Sequence, residues 1–110
     1  MDFMNAIFPI FELMDLHDLA EDIGQNIKLA RAAKGWRQED LSKASGASLQ
    51  AIKNLEGGGN VELVTFLRAT KALGMGRAVW EGCKPDPQTL DELERVEHAR
   101  SESARVRLRR

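Results

Sequence analysis

Glycine cuts the middle of this chain into short pieces. Gly35, Gly46, the run Gly57–Gly58–Gly59, and the pair Gly74 and Gly76 stand between segments whose apolar residues recur at steps of three and four. That spacing marks one face of a helix. Glycine inside a helix costs about 1 kcal/mol relative to alanine, so each of these points is a natural stop. A chain punctuated in this way is predicted to fold as an all-α bundle of four or five short helices. Its core would be aliphatic, because it contains no Tyr, two Trp and four Phe, against many Leu, Ala, Ile and Val.

The segments follow in order. Residues 1–21 are apolar and acidic, with Phe3, Ile7, Phe8, Phe11 and Met14 near helical spacing and Pro9 among them. Proline inside a helix costs about 3 kcal/mol, so a helix is expected from about Ile10, joining or abutting the next. Asp22 to Lys34 reads as helix, with Ile23, Ile27, Ala30 and Lys34 on one face. Arg37 to Ala44 is a short helix with Leu41 and Ala44 inward, ended by Gly46. Ser48 is placed as an N-cap, since its hydroxyl can accept from an otherwise orphaned backbone N–H. Leu49 to Glu56 follows, with Ile52 and Leu55 inward. Val61 to Leu73 carries Leu63, Phe66, Leu67, Thr70 and Leu73 at steps of three and four. Arg77 to Glu81 is β-favouring and reads either as an edge strand or as part of a helix. Two prolines in Lys84 to Gln88 deny helix there. Thr89 and Glu92 then make a capping box for a last helix with Leu90, Leu93 and Val96 on one stripe. After His98 the Arg-, Ser- and Ala-rich end is expected to fray. The domain reading is an amphipathic arm over 1–21, a helical domain over 22–76, and a strand-like segment, proline linker and basic-tailed helix over 77–110.

The formal net charge of -1 hides a strong segregation. Residues 1–21 hold five acids and no base, residues 22–80 nine bases and five acids, residues 81–98 two bases and six acids, and residues 99–110 five bases and one acid. The middle and the extreme end are therefore the parts suited to a polyanion. No apolar run approaches the roughly 20 residues of a membrane span. The acidic start argues against a signal or transit peptide. Cys83 is the single cysteine, which fits a reducing, cytoplasmic setting. Cys83, His17 and His98 lie far apart in sequence and lack the spacing of zinc ligands. Gly57–Gly59 has no following lysine and no preceding strand, so it is not a phosphate loop. No catalytic set, metal site or cofactor is expected.

The informative stretch runs from Arg37 to Gly58. Two short helices flank Gly46, which can adopt the left-handed backbone of a sharp turn. Leu41, Ala44, Ile52 and Leu55 would pack them together and leave Leu49, Gln50, Lys53 and Asn54 on the open side of the second. Such a helix fits a DNA major groove. Gln and Asn can each make paired hydrogen bonds to adenine, apolar Leu49 suits a thymine methyl, and Lys53 can reach phosphate or guanine.

This stretch resembles the Xre-type, phage-repressor-like helix-turn-helix regulators. The residues that carry the resemblance are Gly35–Trp36–Arg37–Gln38, Asp40–Leu41–Ser42, Gly46–Ala47–Ser48, Ile52 and Leu55–Glu56–Gly57. It covers about Ile23 to Leu73. It implies that Gln38 braces against DNA phosphate and that residues at Leu49, Gln50 and Asn54 read bases; Arg37, Ser48 and Lys53 complete the candidate DNA-binding set. Arg37 stands where Ser or Thr is common, Ser42 replaces a usual Ala, and Leu49 is apolar where a polar reader is frequent. The part from Val61 onward, with its β-like piece, proline linker and Arg-rich end, is similar to the HipB-like antitoxin branch. That similarity implies a dimer strand at Arg77 to Glu81.

The expected function is a DNA-binding transcriptional regulator, a repressor acting as a homodimer on double-stranded DNA. The alternatives are an antitoxin that also binds a protein toxin, and an interaction module without DNA affinity that docks through Phe3, Phe8 and Phe11. Glu56 is expected to be structural, pairing with Arg31 or Lys34. Gln38 either contacts phosphate or caps its own helix. Trp36 belongs to the core, and Trp80 either to the core or to a dimer interface. Arg105, Arg107, Arg109 and Arg110 either follow DNA phosphates, stay solvated, or dock on the acidic arm of a partner subunit.

Overall fold

A computed structural model describes residues 12–109. The expectations placed on Phe3, Ile7, Phe8, Pro9, Ile10, Phe11 and Arg110 lie outside the described residues. The chain separates into two units, Met1–Val79 and Trp80–Arg110. Among the described residues, six helices follow a short helical stretch at Glu12 and Leu13: α1 Leu16–Ala33, α2 Gln38–Ser45, α3 Leu49–Glu56, α4 Leu63–Ala72, α5 Gly76–Gly82 and α6 Leu90–Arg109. All secondary structure among the described residues is helical.

α1 starts afresh after a break at Met14 and Asp15, which separates it from the helical Glu12 and Leu13, and then runs without interruption past Asp22. Its start is set by Asp15, whose side chain accepts from the Asp18 N–H at 2.8 Å. Its end is set by Gly35 at φ 71. In the first unit α3 is the central element, packing against α1, α2 and α4, while α2 also packs on α4. The core between them is Ile27 from α1, Leu41 from α2, Ile52 and Leu55 from α3, and Ala69 with Leu73 from α4 and its cap. Ile27, Leu41 and Ile52 are almost fully buried. Each such side chain contributes about 1.5–3 kcal/mol through apolar area removed from water. Trp36 packs against this core from its edge, with Lys34 Nζ 5.4 Å from its ring centre. Thr70 is buried among these residues, and its hydroxyl donates to the Phe66 carbonyl at 2.9 Å, so no polar group is stranded.

Several residues expected to face inward are exposed. Ile23, Leu63 and Leu67 are exposed, at 46%, 69% and 42%, while Gly24 and Ala69 are buried in their place. A stripe of apolar residues wider than one helix face cannot all point inward, and tertiary contact selects the sector. Ala44 is also exposed; Ala47, in the link after α2, is the small residue that closes the α2–α3 contact.

Arg77–Glu81 is helical, within α5, so the dimer strand implied by the antitoxin-branch similarity is not formed there. The Val79 N–H donates to the Met75 carbonyl at 3.1 Å, closing a helical turn that a strand would leave open. Trp80 is 60% exposed with Lys84 Nζ 3.8 Å over its ring, so it is not a core residue. In the second unit α6 is capped as the sequence suggests: the Glu92 N–H donates to Thr89 Oγ1 at 3.1 Å. The return bond goes one residue further back, from the Gln88 N–H to Glu92 Oε2 at 2.6 Å. α6 does not fray after His98. Arg100 pairs with Glu97 at 3.0 Å and Arg105 with Glu102 at 3.4 Å, adding local support along the helix surface. No helix among the described residues is long and apolar enough to cross a membrane.

Candidate nucleic-acid interface

The link between α2 and α3 is three residues, Gly46, Ala47 and Ser48. Gly46 sits at φ 80, in the left-handed region where a Cβ is disfavoured. Serines tie the link down. Ser42 Oγ donates to the Ala47 carbonyl at 2.6 Å, and the Ala47 N–H donates to Ser45 Oγ at 3.1 Å. From α4, Arg68 Nη1 donates to the Gly46 carbonyl at 3.1 Å. Nothing in local periodicity marks Arg68 for this role, because the bond spans 22 residues.

Ser48 caps α3 as expected, accepting from the Ala51 N–H at 3.1 Å. Ser48→Ala should lower stability by about 1 kcal/mol, the usual worth of a serine N-cap. Thermal unfolding by circular dichroism would measure it, and an unchanged midpoint would refute the assignment. At α2 the cap is Arg37, which has no acceptor in its side chain, so only half of a capping box forms. Its N–H donates to Asp40 Oδ2 at 2.8 Å. The Arg37 side chain is exposed.

With Ile52 and Leu55 turned into the core, the opposite side of α3 presents Gln50, Lys53 and Asn54, all exposed. Gln50 Nε2 donates to Asn54 Oδ1 at 3.0 Å, which aligns the two amides one turn apart and leaves an acceptor on Gln50 and donors on Asn54 facing out. Leu49 is half-buried rather than presented with them.

Behind this face lies a polar cluster. Glu56, at the end of α3, has its side chain only 3% exposed and Arg31 of α1 has its own at 12%. Arg31 grips the carboxylate with two donors, Nε to Oε2 at 2.7 Å and Nη2 to Oε1 at 2.9 Å. Its third nitrogen, Nη1, donates to the Trp36 carbonyl at 2.8 Å. Of the two basic partners the sequence offered for Glu56, the structure selects Arg31. The hydrogen bonds to Glu56 push the Arg31 guanidinium further above its ordinary range; burial opposes this, and the charges of Glu56 and Glu39 add to it. Gln38, half-buried at the start of α2, donates from Nε2 to Glu56 Oε1 at 3.1 Å. The buried pair therefore joins α1 to α3 and holds the first side chain of α2.

The candidate tail residues lie apart from this face in sequence and in fold unit. Arg105 pairs with Glu102 on α6, Arg107 is exposed on the same helix, and Arg109 ends it. His17 and His98 lie beside glutamates one turn on, Glu21 at 3.0 Å and Glu102 at 3.9 Å. Among the described residues no group of three or more His, Cys, Asp or Glu is placed to hold a metal ion. No protein-family model, curated protein or solved structure matches this chain.

Proposed function

We propose that the chain is a sequence-specific DNA-binding regulator of the Xre type, a repressor in which α2 and α3 form the helix-turn-helix and α3 enters the major groove. The observation that carries this reading is the two-sided character of α3. One side is locked by Ile52, Leu55 and the Glu56–Arg31 pair, and the other presents two amides and an ammonium with no structural task in the core. Amide side chains on a rigid helix are suited to the donor and acceptor pattern of base edges. Lys53 and Arg37 are exposed cations that can meet phosphate, and phosphate contacts supply most affinity while base contacts supply preference. Gln38, held by Glu56 through one of its amide protons, keeps the other to donate to a phosphate oxygen. Two copies would place their α3 helices in successive major grooves, about 34 Å apart, on a palindromic site.

The test is titration of the purified protein against DNA from its own upstream region beside a scrambled competitor, across a salt series. Tight binding that prefers its own upstream site and weakens steeply with salt supports the reading. Gln50→Ala should reduce the preference for the specific site by about tenfold while leaving non-specific binding and the thermal midpoint unchanged. Equal loss on every DNA would remove Gln50 from the reading role. Folded protein that binds no DNA at any salt concentration would overturn the proposal.

A further inference from the structure

α6 has no core of its own to explain it. In proteins most helical stability comes from packing of an amphipathic face against a neighbour. In the unit that contains it no described side chain is buried, and only Pro87 and Val96 reach intermediate burial. The helix nevertheless holds apolar side chains in the open: Leu90 at 70%, Leu93 at 43% and Val106 at 51%. Leu93, Val96, Ala99, Ser103 and Val106 recur at steps of three and four and so share one face, with Glu92 and Arg107 on the same side.

Charge is divided lengthwise along this helix. Residues 90–98 carry four acids and one base; residues 99–109 carry four bases and one acid. Acids near a helix start and bases near its end complement the backbone dipole, but that effect fades within the first and last turn. Here acids outnumber bases as far as Glu97 and bases outnumber acids from Arg100 onward, so the division falls at mid-helix.

We infer that α6 is a self-association helix through which two copies of the chain pair in antiparallel orientation. Laid antiparallel, the acidic half of each copy meets the basic half of the other at both ends at once. A parallel pair would set like charge on like. In the register centred between Ala99 and Arg100, Leu93 meets Val106, Val96 meets Ser103, and Glu92 meets Arg107 of the other copy. Ala99 and Ser103 are small enough for close approach at the crossing. Arg107 takes part in no ion pair among the described residues, whereas Arg100 and Arg105 are paired within the helix. Such a contact is isologous and has two-fold symmetry. It does not depend on the DNA reading, although it supplies the symmetry that a palindromic site requires.

The experiment is sedimentation equilibrium of the full chain without DNA, over a range of concentrations and salt. A monomer–dimer equilibrium that weakens with salt is expected. Glu92→Arg and Arg107→Glu should each raise the dimer dissociation constant by about tenfold, because each creates two like-charge contacts per dimer. The chain carrying both changes should return to within about threefold of the original, since every contact is again opposite in sign. Glu94→Arg alters the helix charge to the same degree on the opposite face and should leave association unchanged. Helix content by circular dichroism is followed for every variant. A chain of intact helicity that stays monomeric at all concentrations overturns the inference and assigns this face to another occupant, as does a double variant no better than its parents. Equal damage from Glu94→Arg and Glu92→Arg also overturns it.

Discussion

Replacing Glu56 with alanine is expected to lower the stability of the first unit by about 3–5 kcal/mol, the typical consequence of removing one partner from a buried ion pair. The size follows from what is left behind. Arg31 is always protonated, and its side chain is only 12% exposed. Without the carboxylate it keeps a single neutral acceptor, the Trp36 carbonyl, for a guanidinium that otherwise makes three hydrogen bonds. Gln38 loses its partner in the same step. For a small domain this is a large share of the whole stability. Urea unfolding, read as a shift of midpoint at constant slope, measures it. A loss below about 1 kcal/mol would mean that the pair behaves as a surface pair. The companion variant, Arg31→Met with Glu56→Leu, should recover most of the loss, since well-packed apolar groups can replace a buried pair at little net cost. Because that variant frees Gln38, it separates the stability role of the cluster from the placement of Gln38. It should fold, and on the proposed DNA-binding reading it should bind DNA more weakly.

Gly24→Ala is the second large effect expected, a net loss of about 2–3 kcal/mol despite the better helix propensity of alanine. A Cβ at this position would lie 2.5 Å from the Leu55 carbonyl oxygen and 2.6 Å from that of Glu56. Both obstacles are backbone, so no side-chain rotation relieves the clash. α1 would have to withdraw from the end of α3, loosening Ile27 and stretching the Arg31–Glu56 bonds together. Gly76 provides the contrast within a helix: a Cβ there meets Lys71 no closer than 3.5 Å, an ordinary contact. Gly76→Ala should therefore be neutral or slightly stabilising by thermal unfolding. Equal tolerance at both positions would show that α1 and α3 are not in backbone contact.

The elements of the first unit were legible because each is specified locally. Gly35 and Gly46 mark stops that adopt positive φ, Ser48 is an N-cap, and the α2 and α3 stretches carry a helical period. The pairing of Glu56 with a base was also legible as a choice between Arg31 and Lys34, and its burial selects Arg31. Arg77–Glu81 was open between strand and helix because Val79 and Trp80 favour a strand, Ala78 and Glu81 a helix, and five residues are too few to separate the two periods; only the turn closed from Met75 decides between them. The end of the chain was misread as frayed because its composition suggested solubility, while the charge pairs that support α6 depend on spacing.

What the sequence determined by itself is the helical class, the stops at Gly35 and Gly46, the Ser48 cap and the polar face of α3, all consequences of interactions within a few residues. What only the tertiary structure decided is which sector of each apolar stripe faces inward, so that Ala69 is buried while Leu63 and Leu67 are exposed. It also decided that Gly24 must be glycine because α3 ends against it, and that Arg68 anchors the α2–α3 link from a distant helix. The physical reason is the same for all three. Helical period sets the direction of a side chain relative to its own axis, but the rotation of that axis is set by close packing against another helix.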